Sequence, residues 1–224
     1  MTNDLILHYA PDNASLCVRL LLADMDVPYR TALVDRAANA QKSKAYLAIN
    51  PNGLIPALET PNGPIFETAA ILLWLADQKP ATVFPAPQDR TRGSALSQLM
   101  WLANTVHPAL RMLFYPDTYT SADTEALCAQ TRARLHGYFA QLDRQWGDVA
   151  NPVLASYLAP MLRWSALYGG DTTWFDLSRY ETLYSFAKTY ETRMNVNEVC
   201  TLEGLGQTPF SSPSLPNPPE GSAT

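Results

Sequence analysis

The chain has 224 residues, of which 47% are hydrophobic and 17% charged, and its net charge is −5. That length can bury a sizeable core in one large domain or two small ones. The negative balance argues against a nucleic-acid partner or a polybasic membrane surface, and no apolar run reaches the roughly 18 residues a membrane span needs.

In chain order, LILHYA (5–10) is a short apolar run that stops at Pro11 and reads as a strand. DNASLCVRLLLADMDV follows with Leu16, Leu20, Ala23 and Val27 at helical spacing, and Asp12, Asn13 or Ser15 available as a cap. PYRTALVD is a second strand. A polar stretch then leads to NPNGLIPAL (50–58), where Pro56 sits inside an otherwise strand-like segment without an N–H to give. The turn signal PNG at 61–63 separates Ala57–Leu58 from Ile65–Phe66 and predicts a hairpin. TAAILLWLADQ (68–78) is a strong helix. Residues 1–80 therefore read as a compact α/β unit.

The texture then changes. KPATVFPAPQDR carries three prolines and reads as a linker, centred on 81–90. From 91 to 203 every long segment has helical periodicity, so the fold class is α/β followed by all-α. In the buried helix expected over NPVLASYLAPMLRW, Asn151 with Pro152 behind it is the expected cap. Residues 204–224 are rich in Pro, Ser and Gly and are expected to be disordered. MTNDLILHYA lacks a basic start before an apolar core, so no signal peptide is expected. Cys17, Cys128 and Cys200 are odd in number and far apart, which fits free thiols in a reducing, cytoplasmic compartment. The scattered His8, His107 and His136 offer no metal-ligand spacing, and no metal is expected.

NPNGLIPAL followed by FETAAI, in an α/β unit joined to a helical half, resembles the cytosolic glutathione transferase family over roughly residues 5–203. The resemblance implies a thioredoxin-like N-terminal domain, a helical C-terminal domain, a homodimer and glutathione as co-substrate. It implies a cis bond before Pro56, so that the backbone of Ile55 pairs with the peptide-like middle of glutathione as an added strand. Glu67 would hold the γ-glutamyl ammonium, and Thr68 with the N–H groups of its helix the carboxylate. Read on their own, Glu67 and Thr68 are a plain helix cap with an acidic neighbour.

The family lowers the pKa of the glutathione thiol with a Tyr, Ser or Cys near the end of the first strand. HYAPDNASLCV is most similar to the bacterial beta-class pattern of a Cys then a Ser before a Leu. Ala14 stands at the Cys position, which leaves Ser15 as the first candidate, with Asn13 and Tyr9 as others. Two of them have a structural alternative: Ser15 bonded to its own backbone, and Tyr9 closing a strand end. Cys17 reads as buried and inert. The resemblance makes His107 a glutathione contact, and Arg111 and Tyr115 lie about a turn apart beyond it. Asn104 and Trp101 are candidates for the same groove or the dimer contact, and Lys42 and Lys44 for the glycyl carboxylate. The implied activity is attack of the glutathione thiolate on a small apolar electrophile. The alternatives are glutathione-dependent disulfide or peroxide reduction, which needs no Cys-x-x-Cys because glutathione brings the sulfur, and non-catalytic binding.

Overall fold

The computed structural model describes residues 5–223; residues 1–4 and Thr224, which belong to the expected first domain and tail, lie outside them. The first half runs β1 (Ile6–Tyr9), α1 (Ser15–Asp24), β2 (Arg30–Leu33), a short α2 (Lys44–Leu47), β3 (Ala57–Thr60), β4 (Gly63–Phe66) and α3 (Thr68–Gln78). The sheet order is β2-β1-β3-β4, with β1 parallel to β2 and β3 antiparallel to both β1 and β4. This is a thioredoxin-like arrangement. Leu7 and Leu58, opposite each other on β1 and β3, are fully buried against Leu16, Leu20, Ile71 and Leu72.

Pro61 and Asn62 make a two-residue turn between paired Thr60 and Gly63, and the Thr60 hydroxyl donates to the Gly63 carbonyl (2.7 Å). Gly63 takes a positive φ of 109°, which an L side chain rarely adopts. The Ile55–Pro56 peptide is cis and lies just before β3.

The second half is helical: α4 (Arg92–Trp101), α5 (His107–Phe114), α6 (Thr124–Val149), α7 (Pro152–Leu167), α8 (Glu181–Glu191) and α9 (Met194–Leu202). A π-type segment, Leu102–Val106, carries α4 into α5 and makes room for Pro108, which has no N–H for a regular helix. The central helix is α7, buried from Val153 to Ser165. Asn151 caps it by accepting from the Leu154 N–H (3.1 Å), with Pro152 in the first position. Asn151→Ala should lower unfolding free energy by about 1 kcal/mol; an unchanged urea midpoint would contradict this role.

The expectation of a disordered tail is corrected. Residues 204–223 fold back across α7 and the N-terminal half. The Arg163 guanidinium, fully buried on α7, donates to the carbonyls of Pro209 (3.1 Å) and Ser214 (2.9 Å) and more weakly to that of Leu205 (3.4 Å). The Glu191 carboxylate accepts from the N–H groups of Phe210 and Ser211 (3.0 Å each) and from the Ser211 hydroxyl. Phe210 is fully buried beside Tyr190. The chain passes Gly204 so closely that a Cβ there would lie 2.1 Å from the Asn217 carbonyl oxygen. Composition reads as disorder because it counts turn-formers. Order here comes from buried charges elsewhere in the chain, which satisfy the tail's backbone polar groups.

Candidate active site

A cavity of about 710 Å³ opens between the β3 edge, the start of α3, α4–α5 and α7. Of the residues singled out in the sequence, Ile55, Pro56, Glu67, Thr68, Asn13 and His107 all line it, as do Asn104, Arg111 and Tyr115. Ser15, Tyr9, Trp101, Lys42 and Lys44 do not.

At the sheet edge, Leu54 is held by two donors to its carbonyl, the Tyr46 hydroxyl and the Asn50 amide (2.7 Å each). That locks the approach to Pro56. The N–H and carbonyl of Ile55 form no hydrogen bond among the described residues. Next to it, the plain-cap reading of Glu67 and Thr68 fails: no side chain caps α3. Glu67 sits just before the helix at φ 71°, ψ 116°, a conformation that costs a non-glycine residue about 1–3 kcal/mol. The strained backbone turns Glu67 into the cavity, where the free N–H groups of the first turn of α3 also end.

Ser15 is spent on structure. Its hydroxyl donates to the Ala10 carbonyl (3.0 Å) and accepts from the Ala10 N–H (3.3 Å), and the residue is fully buried. Tyr9 is buried too, donates to Glu220 of the tail, and burial pushes its pKa well up, so it stays a phenol. Neither reaches the cavity. Asn13 does; its Oδ1 accepts from the Ala14 N–H (2.8 Å), which leaves its NH2 as the donor at the N-terminus of α1. Cys17 is a buried thiol whose pKa burial raises, as expected of an inert cysteine.

His107 is coupled to a residue sequence reasoning missed. Its Nδ1 lies 3.1 Å from the Tyr157 hydroxyl, and its ring packs against those of Tyr157 and Trp164. Burial first, then the charge on Arg111, push the His107 pKa down to about 4, so the imidazole is neutral at pH 7. Burial also keeps Tyr157 protonated. With no other acceptor for its hydroxyl among the described residues, Tyr157 donates to Nδ1. The imidazole proton then sits on Nε2.

Asp12, read from the sequence only as an available cap, has a different role; no side chain caps α1. Buried at φ 48°, it accepts from Arg163 Nε (2.9 Å), Trp164 Nε1 (2.9 Å) and the Tyr168 hydroxyl (2.6 Å), while its own N–H donates to Glu203 (2.9 Å). This ties the loop carrying Asn13 to α7. A buried Arg inside the apolar run MLRWSALY was the signal available in the sequence, since it requires acceptors from elsewhere. Arg36, also missed, lines the cavity where Lys42 and Lys44 had been expected. Among the described residues no three His, Cys, Asp or Glu side chains are placed to hold a metal, and no helix is long and apolar enough to cross a membrane.

Residues 4–77 match the family model described as the glutathione S-transferase N-terminal domain. Over 89% of its length the chain is 28% identical to glutathione S-transferase GST-4.5 of Xanthomonas campestris, covering 98% of that protein. It is 26% identical to glutathione S-transferase GstA of Escherichia coli O157:H7, again over 89% of this chain and 98% of the relative. Among solved structures, a sphingomonad glutathione S-transferase complexed with glutathione superposes with a TM-score of 0.75 at 30% identity, over 90% of this chain and all of that one. With the thioredoxin-like sheet, the cis proline and the helical half in place, the chain belongs to the cytosolic glutathione transferase family.

Proposed function

We propose that the protein is a glutathione transferase that lowers the pKa of the glutathione thiol and directs the thiolate at a small electrophile. One observation carries this reading: Ile55's unpaired backbone, the strained Glu67 and the uncapped α3 face one cavity. A peptide-like ligand with an amino-acid end matches those three features together. The γ-glutamyl ammonium meets Glu67, its carboxylate the Thr68 hydroxyl and the α3 N–H groups, and the cysteinyl unit pairs with Ile55. The sulfur then lies toward the N-terminus of α1, with the Asn13 amide and the Nε2–H of a neutral His107 as its donors. Ala14 supplies no thiol, and Cys17, Cys128 and Cys200 are buried. Sulfur chemistry at the site therefore belongs to glutathione. In the conjugation, the thiolate forms a C–S bond to the electrophilic carbon and the displaced group leaves with its electron pair. Assembly as a cytoplasmic homodimer is part of the same proposal and follows the family.

The test is a titration of bound glutathione, followed by thiolate absorbance. A free thiol titrates near 8.5; the bound thiol should titrate about one unit or more lower, and Asn13→Ala should move it back toward the free value. Ser15→Ala should leave that pKa unchanged and lower stability instead. A wild-type bound thiol that titrates like free glutathione would contradict the proposal.

A further inference from the structure

Two guanidinium groups converge on one tyrosine at the cavity. Arg36, just past β2, donates from Nη2 to the Tyr115 hydroxyl (3.0 Å), and Arg111 lies over the face of the same ring, 5.4 Å from its centroid. Arg36 is further held by the tail, donating from Nη1 to the Ala223 carbonyl. Arg111 Nε reaches the Tyr119 hydroxyl at 3.5 Å. Every one of these partners is neutral. Among the described residues neither arginine forms an ion pair with a carboxylate. The cavity's own carboxylates do not cancel the charge: Asp12 is saturated by Arg163, Trp164 and Tyr168, and Glu67 serves the glutathione ammonium in the proposed reading. The adjoining wall is apolar and aromatic, built from Met100, Phe114 and Tyr168.

We infer that the Arg36–Tyr115–Arg111 cluster is an anion-binding rim that selects acceptors carrying a carboxylate on an apolar or aryl body. This rests on the glutathione transferase reading and changes its substrate class from a purely apolar electrophile to an anionic one. Planar guanidinium groups recognise carboxylates in two-point fashion, and the ring between them holds both in place at little entropic cost. The neutral His107, one turn before Arg111, leaves the acceptor charge to the arginines.

The same rim could hold the glycyl carboxylate of glutathione, and the experiment separates the two sources. Turnover of a chloronitrobenzoate and of its methyl ester is measured at saturating and at varied glutathione. Each rate is divided by that of the uncatalysed thiolate reaction, in which sulfur replaces chloride. The wild type should favour the acid by about tenfold or more in kcat/KM. Arg111→Ala should abolish that preference while lowering turnover of the ester by less than about threefold, and Arg111→Lys should restore part of it. Equal use of acid and ester by the wild type would overturn the inference while leaving the transferase reading intact. An Arg111→Ala defect confined to the KM for glutathione would overturn it in favour of the glycyl end. If neither compound turns over, the inference is decided by fluorescence titration of the glutathione-loaded protein with unreactive nitrobenzoate. Binding weakened about tenfold by Arg111→Ala would support the rim, and no binding would overturn it.

Discussion

Ending the chain at Gly204 should lower its unfolding free energy by about 5 kcal/mol or more, seen as a fall in Tm of about 10–20 °C. The truncation removes the carbonyls of Leu205, Pro209 and Ser214 from a fully buried Arg163, and three donors from the buried Glu191. Arg163 keeps its ion pair with Asp12, but each hydrogen bond lost to a buried charged group costs about 1.5–3 kcal/mol. Phe210 leaves a hole beside Tyr190, and emptying a phenylalanine site costs about 3–5 kcal/mol. These losses are large against the 5–15 kcal/mol that hold a typical domain together. Phe210→Ala alone should cost about 3–5 kcal/mol by urea unfolding. A detached tail, which the Pro/Ser/Gly composition suggests, predicts no change in either variant. The effect would extend to the site, because Arg163 also holds Asp12 and thereby the loop bearing Asn13.

The second large effect concerns ligand affinity. Glu67→Gln should weaken glutathione binding by about 10- to 150-fold, the worth of a hydrogen bond to a charged group. The substitution keeps size and hydrogen-bonding capacity but removes the charge that meets the ammonium. Stability should hardly move, since the Glu67 side chain caps no helix and forms no ion pair among the described residues. Thermal unfolding of the unliganded variant checks that second half. A binding loss accompanied by an equal loss of stability would mark Glu67 as a structural residue.

Which features were readable in the sequence follows from how local their causes are. Pro56, the turn at Pro61–Asn62 and the helix from Thr68 are set by a few neighbouring residues, and each lies where the spacing places it. Asn151 and Pro152 form a cap for the same reason. A pattern gives a residue's position, but not the direction of its side chain. Ser15 stands at the start of α1 as expected, yet its hydroxyl is consumed by Ala10. Asp12 is in the right loop, but the three donors that define its role come from α7 and from Tyr168 just after it, some 150 positions downstream. The tail and Arg36 are alike in this respect: the tail is ordered by the buried Arg163 and Glu191, and Arg36 is held by Tyr115 and Ala223, long-range partners that no window of the sequence displays.

The most direct measurement is a calorimetric cross between ligand and protein: glutathione and cysteinylglycine, each titrated into the wild type and into Glu67→Gln. The central claim is that the cavity holds glutathione by its γ-glutamyl end at Glu67 and the start of α3. It predicts that the wild type binds glutathione at least about tenfold more tightly than cysteinylglycine, and that Glu67→Gln loses most of that difference. Equal discrimination by both proteins would contradict it.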